Sequence, residues 1–365
     1  MGNSKTAIAE FFNSVIKTFI VKNFMKFEEV MREYREIVFE KLKEYLPQTN
    51  SNLLGEFYRM VREYSERKGK YFRPTLLLLS CEMHGGNFND ALLPAVVMQL
   101  SEDWILIHDD IEDHSEERRH KPTLHRIYGN ELALNAGDAL HIIMWKALGD
   151  AVRNLANNRG WNLFDKMYNI LITTTEGQYI ELSWIRHGKV DISEEEYYEL
   201  IYRKAGYYTV IGPLQLGAIV AGALENNLKD IERFGKPFGC AFQIWDDVMN
   251  LTVDTKLQGK ERGGDILEGK RTLMLIHLLK NCTLTERDYL ITLFRKPRSQ
   301  RTWDDANYVL ELMEKYGSIE YAIQKSKEFI KNAKMEFDRY ASNLPDSMAK
   351  KLIREAMDFV ISRDK

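Results

Sequence analysis

The sequence predicts an all-α fold, and two observations carry this prediction. Only 8 of the 365 residues are proline and 44% are hydrophobic, a composition that favours long helices over a sheet. Apolar residues also recur at helical spacing along most of the chain. No stretch rich in proline, glycine or serine divides the sequence, so we expect a single domain over residues 1–365.

Composition argues against several classes of protein. The net charge is −3 with 29% charged residues, and no basic footprint for nucleic acid stands out. No apolar run reaches the ~18 residues of a membrane span, and no secretory signal opens the sequence. Cys81, Cys240 and Cys282 lack the spacing of a zinc site and indicate reduced thiols. We therefore expect a cytoplasmic protein with no membrane span and no nucleic-acid partner.

The first elements are packing helices. Helical apolar spacing over residues 6–45 predicts one or two of them, and residues 47–52 predict a turn. The next helix runs toward Arg67, after which Gly69 breaks the period and Pro74 begins an apolar helix. Cationic and aromatic residues alternate between these points. They form either an anion site beside a helix start or a solvated cationic turn.

The helix over residues 91–113 carries the central motif. Asp109 and Asp113 lie four residues apart and share a helix face that follows an apolar turn. Two stacked carboxylates repel each other, so we expect a cation beside them, and oxygen ligands of this kind suit Mg²⁺. The polar segment 116–123 bears four possible cations, and paired arginines with a metal suit a polyphosphate ligand.

More helices follow the motif. The apolar pattern resumes at Leu132, and a further helix covers residues 166–184. Ser193 and Glu196 have capping-box spacing and predict the start of the next helix. Residues 274–365 predict amphipathic helices that are interrupted at a Lys-Pro step and a Leu-Pro step.

A second acidic cluster repeats the arrangement of the first. Asp246 and Asn250 are again four residues apart after an apolar turn, and a glycine-rich loop follows with Lys260 and Lys270. One such cluster alone is often a solvated helix face, but two with matching basic groups predict facing metal sites in one cavity. The ligand indicated is a diphosphate, which metal and arginine would convert into a good leaving group. An apolar pocket would shelter the carbocation, with Gln243 and the carbonyls of residues 204–206 as dipoles.

These motifs resemble, in order and in spacing, those of the polyprenyl (isoprenyl) diphosphate synthases, and the resemblance is to the short-chain archaeal-type farnesyl or geranylgeranyl diphosphate synthases. It runs from about Gly69 to Thr272. It implies the isoprenoid synthase fold, a helical bundle around a deep central cavity. The matching positions are Gly69-Lys70, Arg73-Pro74, Asp109-Asp110, Asp113, Arg118-Arg119, Gly137-Asp138-Ala139-Leu140, Gly177-Gln178, Lys204, Phe242-Gln243, Asp246-Asp247, Gly259-Lys260, Asp265 and Glu268-Gly269-Lys270.

The resemblance implies a role for each group. The metal, Mg²⁺ or Mn²⁺ as a substitute, would be held by Asp109, Asp110, Asp113, Asp246, Asp247 and Asn250. The allylic diphosphate would contact Arg118, Lys204 and Lys260, and isopentenyl diphosphate would contact Lys70, Arg73 and Arg119. Glu102, Gln243 and Lys270 complete the predicted substrate-binding set. Catalysis would fall to Asp109, Asp113, Lys204, Gln243 and Asp246.

The implied reaction is head-to-tail condensation. The allylic diphosphate ionises, the double bond of isopentenyl diphosphate attacks, and a proton leaves, which gives a short-chain (C15–C20) prenyl diphosphate. The resemblance also implies a homodimer, with a hetero-oligomer as the alternative.

Five positions depart from the family pattern. They are Glu102 for histidine, His120 for glycine, Glu181 for aspartate, Ala205 for threonine and Asn250 for aspartate. Glu102 puts a carboxylate where a diphosphate contact is expected, and it could instead pair with Lys70 or Arg73.

Chain length is expected, by resemblance, to be set just before the first motif. Trp104 is the fifth residue upstream of Asp109, where a bulky aromatic residue is associated with C15–C20 products. The alternative interpretation is that Trp104 is an ordinary aromatic residue of the core. Helix geometry places Ile105 below Asp109, and Ser101 completes the predicted chain-length set.

Three other functions stay open at this point. A terpene cyclase also uses an aspartate-rich helix, although it needs no second diphosphate site with Lys70, Arg73 and Arg119. A non-catalytic or regulatory subunit of a hetero-oligomeric synthase would explain Glu102 and Ala205. A synthase with an altered acceptor would explain Glu102.

Overall fold

The structure is a computed structural model that describes residues 25–252 and 263–362. Nearly all of its regular structure is helical, which confirms the predicted all-α class. The helices in chain order are α1 (Phe27–Lys43), α2 (Gly55–Glu66), α3 (Phe72–Met83), α4 (Phe88–Glu112), α5 (Leu124–Tyr128), α6 (Asn130–Asn154), α7 (Arg159–Arg186), α8 (Glu194–Ile201), a π-helix (Tyr202–Ile211), α9 (Gly212–Ala221), α10 (Glu225–Thr252), α11 (Gly264–Glu268), α12 (Leu273–Asn281), α13 (Leu284–Arg295), a 3₁₀ turn (Arg298–Gln300), α14 (Trp303–Lys315), α15 (Ser318–Ala341) and α16 (Met348–Ser362).

The two helices that carry the acidic clusters lie at the centre of the bundle. Helix α4 packs along α6, and α10 packs along α15 and the π-helix. Phe242 and Trp245 of α10 belong to the larger hydrophobic core, whereas Ile244 and Val248 belong to a smaller core built with α12–α14. Because α10 is apolar on both sides, its acidic cluster is held rigidly between the two cores.

Two helices, α4 and α7, are longer than the sequence pattern indicated. Helix α4 begins at Phe88 because the Asn87 side chain caps it, accepting a hydrogen bond from the Asn89 amide at 2.8 Å. Helix α7 extends beyond the predicted residues 166–184 at both ends. The predicted capping box at Ser193 and Glu196 is present and starts α8.

The segment after α8 is a ten-residue π-helix, which the sequence did not indicate. It carries Lys204, Ala205 and Gly206 and passes close to two neighbours. A Cβ on Gly177 would lie 2.6 Å from the Lys204 Cα, and one on Gly206 would lie 3.4 Å from Gly239. Glycine at Gly177 therefore lets α7 touch the backbone of the π-helix. Wide helical turns of this kind are frequent at functional sites.

A short hairpin follows α4. Strand β1 (Glu117–Arg118) pairs antiparallel with β2 (Lys121–Pro122). The two turn residues, Arg119 and His120, have φ of 54° and 62°. Glycine, the residue that the resemblance leads us to expect at the position of His120, adopts this left-handed conformation without strain.

The predicted interruptions of the C-terminal helices are confirmed. Helices α13 and α15 end before the predicted proline steps at 297 and 345. In the part of the chain that the structure describes, no helix combines the length and the apolarity that crossing a bilayer requires. The predicted helix start over residues 6–24 lies outside the described residues. That residues 1–365 form a single domain stays a prediction.

Candidate active site

Both acidic clusters line one cavity of about 570 Å³. Asp109 of α4 and Asp246 and Asp247 of α10 form part of its wall. Lys70, just before α3, and Arg73, in the first turn of α3, form another part. The structure thus brings together the sites that the sequence placed far apart in the chain.

Each carboxylate of the first motif has a cation beside it. Lys204 Nζ lies 3.5 Å from Asp109 Oδ1, and Arg118 Nη2 lies 3.7 Å from Asp109 Oδ2. Lys270 Nζ lies 3.1 Å from Asp113 Oδ2. These three side chains supply the positive charge that the sequence predicts beside the stacked carboxylates.

Asp110 points away from the cavity that Asp109 lines. It is buried, accepts a hydrogen bond from the Tyr64 hydroxyl at 2.6 Å, and accepts a second from Arg118 Nε at 3.0 Å. Its predicted role as a metal ligand stays a prediction, while its contacts show that it fixes Arg118 beside Asp109.

The second cluster contains the same arrangement. Asp247 accepts hydrogen bonds from the Tyr197 hydroxyl and from Gln243 Nε2, both at 2.8 Å. Burial, with Asp265 adding repulsion, raises the pKa of Asp247 to about 8. Gln243 lines the cavity as predicted, although its amide nitrogen is committed to Asp247.

Asn250 connects the second cluster to the loop after it. Its Oδ1 accepts a hydrogen bond from the Asp265 amide at 3.2 Å, and its carbonyl accepts one from the Gly263 amide at 2.9 Å. An amide side chain suits this task because it carries no charge that Asp265 would repel. Its predicted role in metal binding stays a prediction.

Lys270 joins the end of α4 to α11. Its Nζ lies 2.8 Å from Glu268 and 3.3 Å from Asp265, in addition to its contact with Asp113. Burial opposes the charge of Lys270, but the surrounding carboxylates raise its pKa well above the ordinary value. The pKa of Asp113 is raised to about 7, because burial and the charge of Asp109 outweigh the attraction of Lys270.

Lys204 forms an ion pair with Glu181 besides its contact with Asp109. Burial opposes the charge of Lys204, yet Glu181, Asp109 and Asp113 together raise its pKa. The longer glutamate in place of the family's aspartate therefore still reaches the lysine. Ala205 is buried and brings no hydroxyl to this position.

Two buried arginines, Arg271 and Arg301, hold the loop of Lys270. Arg271 Nε donates to the Lys189 carbonyl at 2.9 Å, and Arg301 Nη1 donates to the Leu267 carbonyl at 2.7 Å. Burial and neighbouring arginines lower the pKa of Arg271 and of Arg301 to about 10. Arg301 belongs to no motif, so the sequence held no signal for it.

The far end of the cavity combines arginines with carboxylates. Glu102 Oε2 lies 3.0 Å from Arg73 Nη1, and Glu102 Oε1 lies 3.4 Å from Arg119 Nη2. Arg119 also lies 3.0 Å from Asp103, a fully buried residue that sequence reasoning missed. The predicted pairing of Glu102 with Arg73 is present. Among the residues that the structure describes, Lys70 forms no such pair and is exposed at the cavity.

The predicted chain-length residues do not line this cavity; Leu106 does. Trp104 packs on α6 with its ring 4.4 Å from that of His141, centroid to centroid. The Ser101 hydroxyl donates to the Met98 carbonyl at 2.7 Å. Ile105 is half-buried against the larger core. Their roles stay predictions.

The donors present fit Mg²⁺. Over residues 25–252 and 263–362, no group of three or more His, Cys, Asp or Glu side chains could hold a metal ion. Mg²⁺ does not require such a group, because it commonly takes one or two carboxylates and completes its shell with phosphate and water. Asp109 and Asp246 offer carboxylates at the cavity wall. Lys260 lies outside the described residues.

Comparison with known proteins places this geometry in a family. The model of the polyprenyl synthetase family matches residues 55–313. The short chain isoprenyl diphosphate synthase of Methanothermobacter thermautotrophicus is 30% identical over 340 residues, 93% of this chain and 99% of that protein. The geranylgeranyl diphosphate synthase of Sulfolobus acidocaldarius is 29% identical over 340 residues, 93% and 98% of the two chains. The crystal structure of geranylgeranyl pyrophosphate synthetase from Pyrococcus horikoshii matches with a TM-score of 0.79 and 32% identity, covering 93% of this chain and 100% of that chain.

Proposed function

The chain belongs to the polyprenyl synthetase family, and from this premise we propose that it is a prenyltransferase that condenses isopentenyl diphosphate with an allylic diphosphate. The product is a short-chain prenyl diphosphate, of the farnesyl or geranylgeranyl class. One observation carries the proposal: two acidic clusters with their lysines share one cavity with a separate arginine-bearing end. A single cavity with two such ends suits two diphosphate substrates.

The allylic diphosphate belongs at the end formed by the two acidic clusters. Arg118, Lys204 and Lys270 supply the cations that meet its oxygens. Carboxylates hold these cations in place, so they are already oriented for the diphosphate oxygens. Bound Mg²⁺ would neutralise the charge that the diphosphate acquires as it leaves.

The carbocation formed on departure needs a dry wall. Leu106, Phe242 and Met249 supply apolar surface in the cavity, next to Gln243. Apolar walls exclude the water that would otherwise capture the cation. The second substrate, held at the arginine-bearing end, then offers its double bond.

We also propose a homodimer as the working form of this enzyme. Helix α7 exposes Trp161, Tyr168, Ile172 and Tyr179, four large apolar or aromatic side chains that are more than a third exposed. Exposed patches of this kind mark association surfaces.

The test is a condensation assay. Purified protein with Mg²⁺, labelled isopentenyl diphosphate and each allylic primer in turn should give elongated prenyl diphosphates, whose length is read by chromatography. Absence of elongation with every primer would reject the proposal and favour a non-catalytic subunit. Release of a cyclic hydrocarbon from an allylic diphosphate alone would favour a terpene cyclase.

A further inference from the structure

The carboxylate of Glu102 lies beside two arginines that a diphosphate substrate would also contact. It lines the cavity between Arg73 and Arg119, and it lies within ion-pair distance of both guanidinium groups. These two arginines are the cations we assign to isopentenyl diphosphate, so this inference rests on the proposed function.

Arg119 does not need Glu102 to hold its position. Its Nη1 donates to the Tyr64 carbonyl at 2.5 Å, and its Nη2 donates to Asp103 at 3.0 Å. Asp103 in turn accepts a hydrogen bond from the Ser65 hydroxyl at 2.7 Å. The buried carboxylate of Asp103 is thus the structural counter-ion of Arg119, and Glu102 adds a second negative charge.

Arg73 is likewise positioned by other groups. Its Nη2 donates to the Thr209 hydroxyl at 2.9 Å, and its guanidinium lies 4.6 Å from the centre of the Tyr208 ring. Its Nε is buried and makes no hydrogen bond in the described part of the structure. Arg73 therefore does not need Glu102 to hold its position.

Glu102 is held only loosely by these arginines. Its Oε2 is buried and accepts no hydrogen bond of good geometry from any residue that the structure describes, although Arg73 Nη1 lies 3.0 Å away. A carboxylate with an unsatisfied oxygen is displaced more easily than one with all its bonds formed.

From these contacts we propose that Glu102 is a specificity-determining residue that acts as an internal competitor for the acceptor diphosphate. Its carboxylate occupies Arg73 and Arg119 when the acceptor is absent, and isopentenyl diphosphate binds by displacing it. The acceptor is consequently bound weakly, while the allylic substrate at the other end of the cavity is unaffected.

The test is a set of charge variants at one position. Glu102→Gln removes the charge and should lower the KM for isopentenyl diphosphate at least about tenfold, the effect of one charge-assisted hydrogen bond. The KM for the allylic substrate should stay unchanged. Glu102→Asp keeps the charge and should stay near wild type. An unchanged or higher acceptor KM in Glu102→Gln would overturn the proposal.

Glu36 provides the matched control. It pairs with Lys68 at 2.6 Å and Arg35 at 3.0 Å, two cations at the cavity wall, but it contacts neither Arg73 nor Arg119 among its described contacts. Glu36→Gln removes one negative charge from the same region and should leave the acceptor KM unchanged. If the KM for isopentenyl diphosphate fell equally in both variants, the cause would be the loss of a negative charge anywhere in this region. That result would overturn the role of Glu102.

One further variant and one further measurement complete the test. If Glu102→Gln does not fold, Glu102→His removes the same charge and carries the same expectation. Equilibrium binding of isopentenyl diphosphate, measured by calorimetry, separates this proposal from the proposed function. Absence of condensation activity in the wild-type protein would reject the proposed function. Equal affinity of wild type and Glu102→Gln for isopentenyl diphosphate would reject the proposal that Glu102 competes with it.

Discussion

At the scale of single residues, the two aspartates of each Asp-Asp pair perform different tasks. The second member, Asp110 or Asp247, accepts a hydrogen bond from a buried tyrosine at 2.6 or 2.8 Å. The first member, Asp109 or Asp246, lines the cavity; Asp247 also forms part of the wall, whereas Asp110 does not line it. Burial of one carboxylate against a tyrosine fixes the orientation of the helix end, which leaves the other to meet the ligand.

Asp109 is therefore the carboxylate whose loss should be most damaging. We expect Asp109→Asn to lower kcat by at least about 10²-fold, because the charge that it sets against Lys204, Arg118 and the metal is lost. Steady-state condensation rates measure this effect. Asp90→Asn, exposed near the start of the same helix, serves as control and should retain activity. Equal rates for Asp109→Asn and wild type would rule out its role.

His120 offers a prediction on stability. It adopts φ of 62° in the hairpin turn after α4, a conformation that costs a residue with a Cβ roughly 1 kcal/mol relative to glycine. His120→Gly should raise the free energy of unfolding by about that amount, as measured by urea denaturation. A decrease would mean that the exposed imidazole makes a stabilising contact.

The sequence predicts some of these residues and not others. Asp109 and Asp113 could be paired because helical spacing alone puts them on one face. The pairing of Asp103 with Arg119 could not be predicted, because it joins α4 to the hairpin turn. It also depends on the left-handed backbone conformation of Arg119. Contacts within one helix follow from periodicity, whereas contacts between elements require their packing.

At the scale of elements, the contact of α7 with the π-helix determines where Lys204 lies. A Cβ on Gly177 would lie 2.6 Å from the Lys204 Cα. Gly177→Ala should push the π-helix away, lower kcat, and cost about 1–3 kcal/mol of stability through overpacking. Condensation rates and urea denaturation measure the two effects.

Gly149 is the control for this substitution. It lies inside α6, and a Cβ there would meet only Arg153 Nη1 at 3.7 Å. Gly149→Ala should therefore keep activity and raise stability by about 0.5–1 kcal/mol through helix propensity. Similar losses in both variants would show that crowding at Lys204 is not the cause.

His84 links α3 to α15 and should make stability depend on pH. Its Nδ1 donates to the Ser80 carbonyl at 2.7 Å, and its Nε2 lies 2.5 Å from the Tyr340 hydroxyl, an arrangement that a neutral ring satisfies with Nε2 as the acceptor. Burial lowers the pKa of His84 below 6.5. The unfolded chain therefore binds the proton more readily, so this stability is complete above pH 6.5 and is lost as the pH falls through the folded pKa.

Denaturation at two pH values checks this sign. Between about pH 7.5 and about pH 5.5, wild type should lose more stability than His84→Gln, by at most ~1.4 kcal/mol for each pH unit. Comparison with the variant removes the contribution of other titrating groups. Parallel losses in the two proteins would contradict the role of His84.

Helix identity was predictable in most of the chain, but the π-helix was not. Helical periodicity and the Ser193 capping box identify α8, yet nothing in residues 202–211 distinguishes a wide turn from an α-helix. The wide turns depend on glycine contacts at Gly177 and Gly239, which belong to other helices. Local pattern therefore predicts that a helix exists, and packing decides its type.

At the scale of the whole molecule, α7 exposes large apolar and aromatic side chains that a single copy of the chain leaves in water. Trp161, Tyr168, Ile172 and Tyr179 follow each other at intervals of seven, four and seven residues, which places them on one side of the helix. Ile142 of the neighbouring α6 is 68% exposed. A row of exposed apolar and aromatic side chains of this kind is costly in water and favours association with a second copy.

Ile142→Glu should weaken this association and shift the mass measured by light scattering from two chains toward one. A buried charge without a partner opposes an apolar interface, whereas the same change on a free surface has little effect. Leu284→Glu is the matched control, since Leu284 is 82% exposed at the start of α13, where a glutamate also suits the helix dipole. A dimer that persists in Ile142→Glu and dissociates in Leu284→Glu would move the interface from α6 and α7 to α13. A wild-type protein with the mass of one chain at all concentrations would reject the homodimer itself.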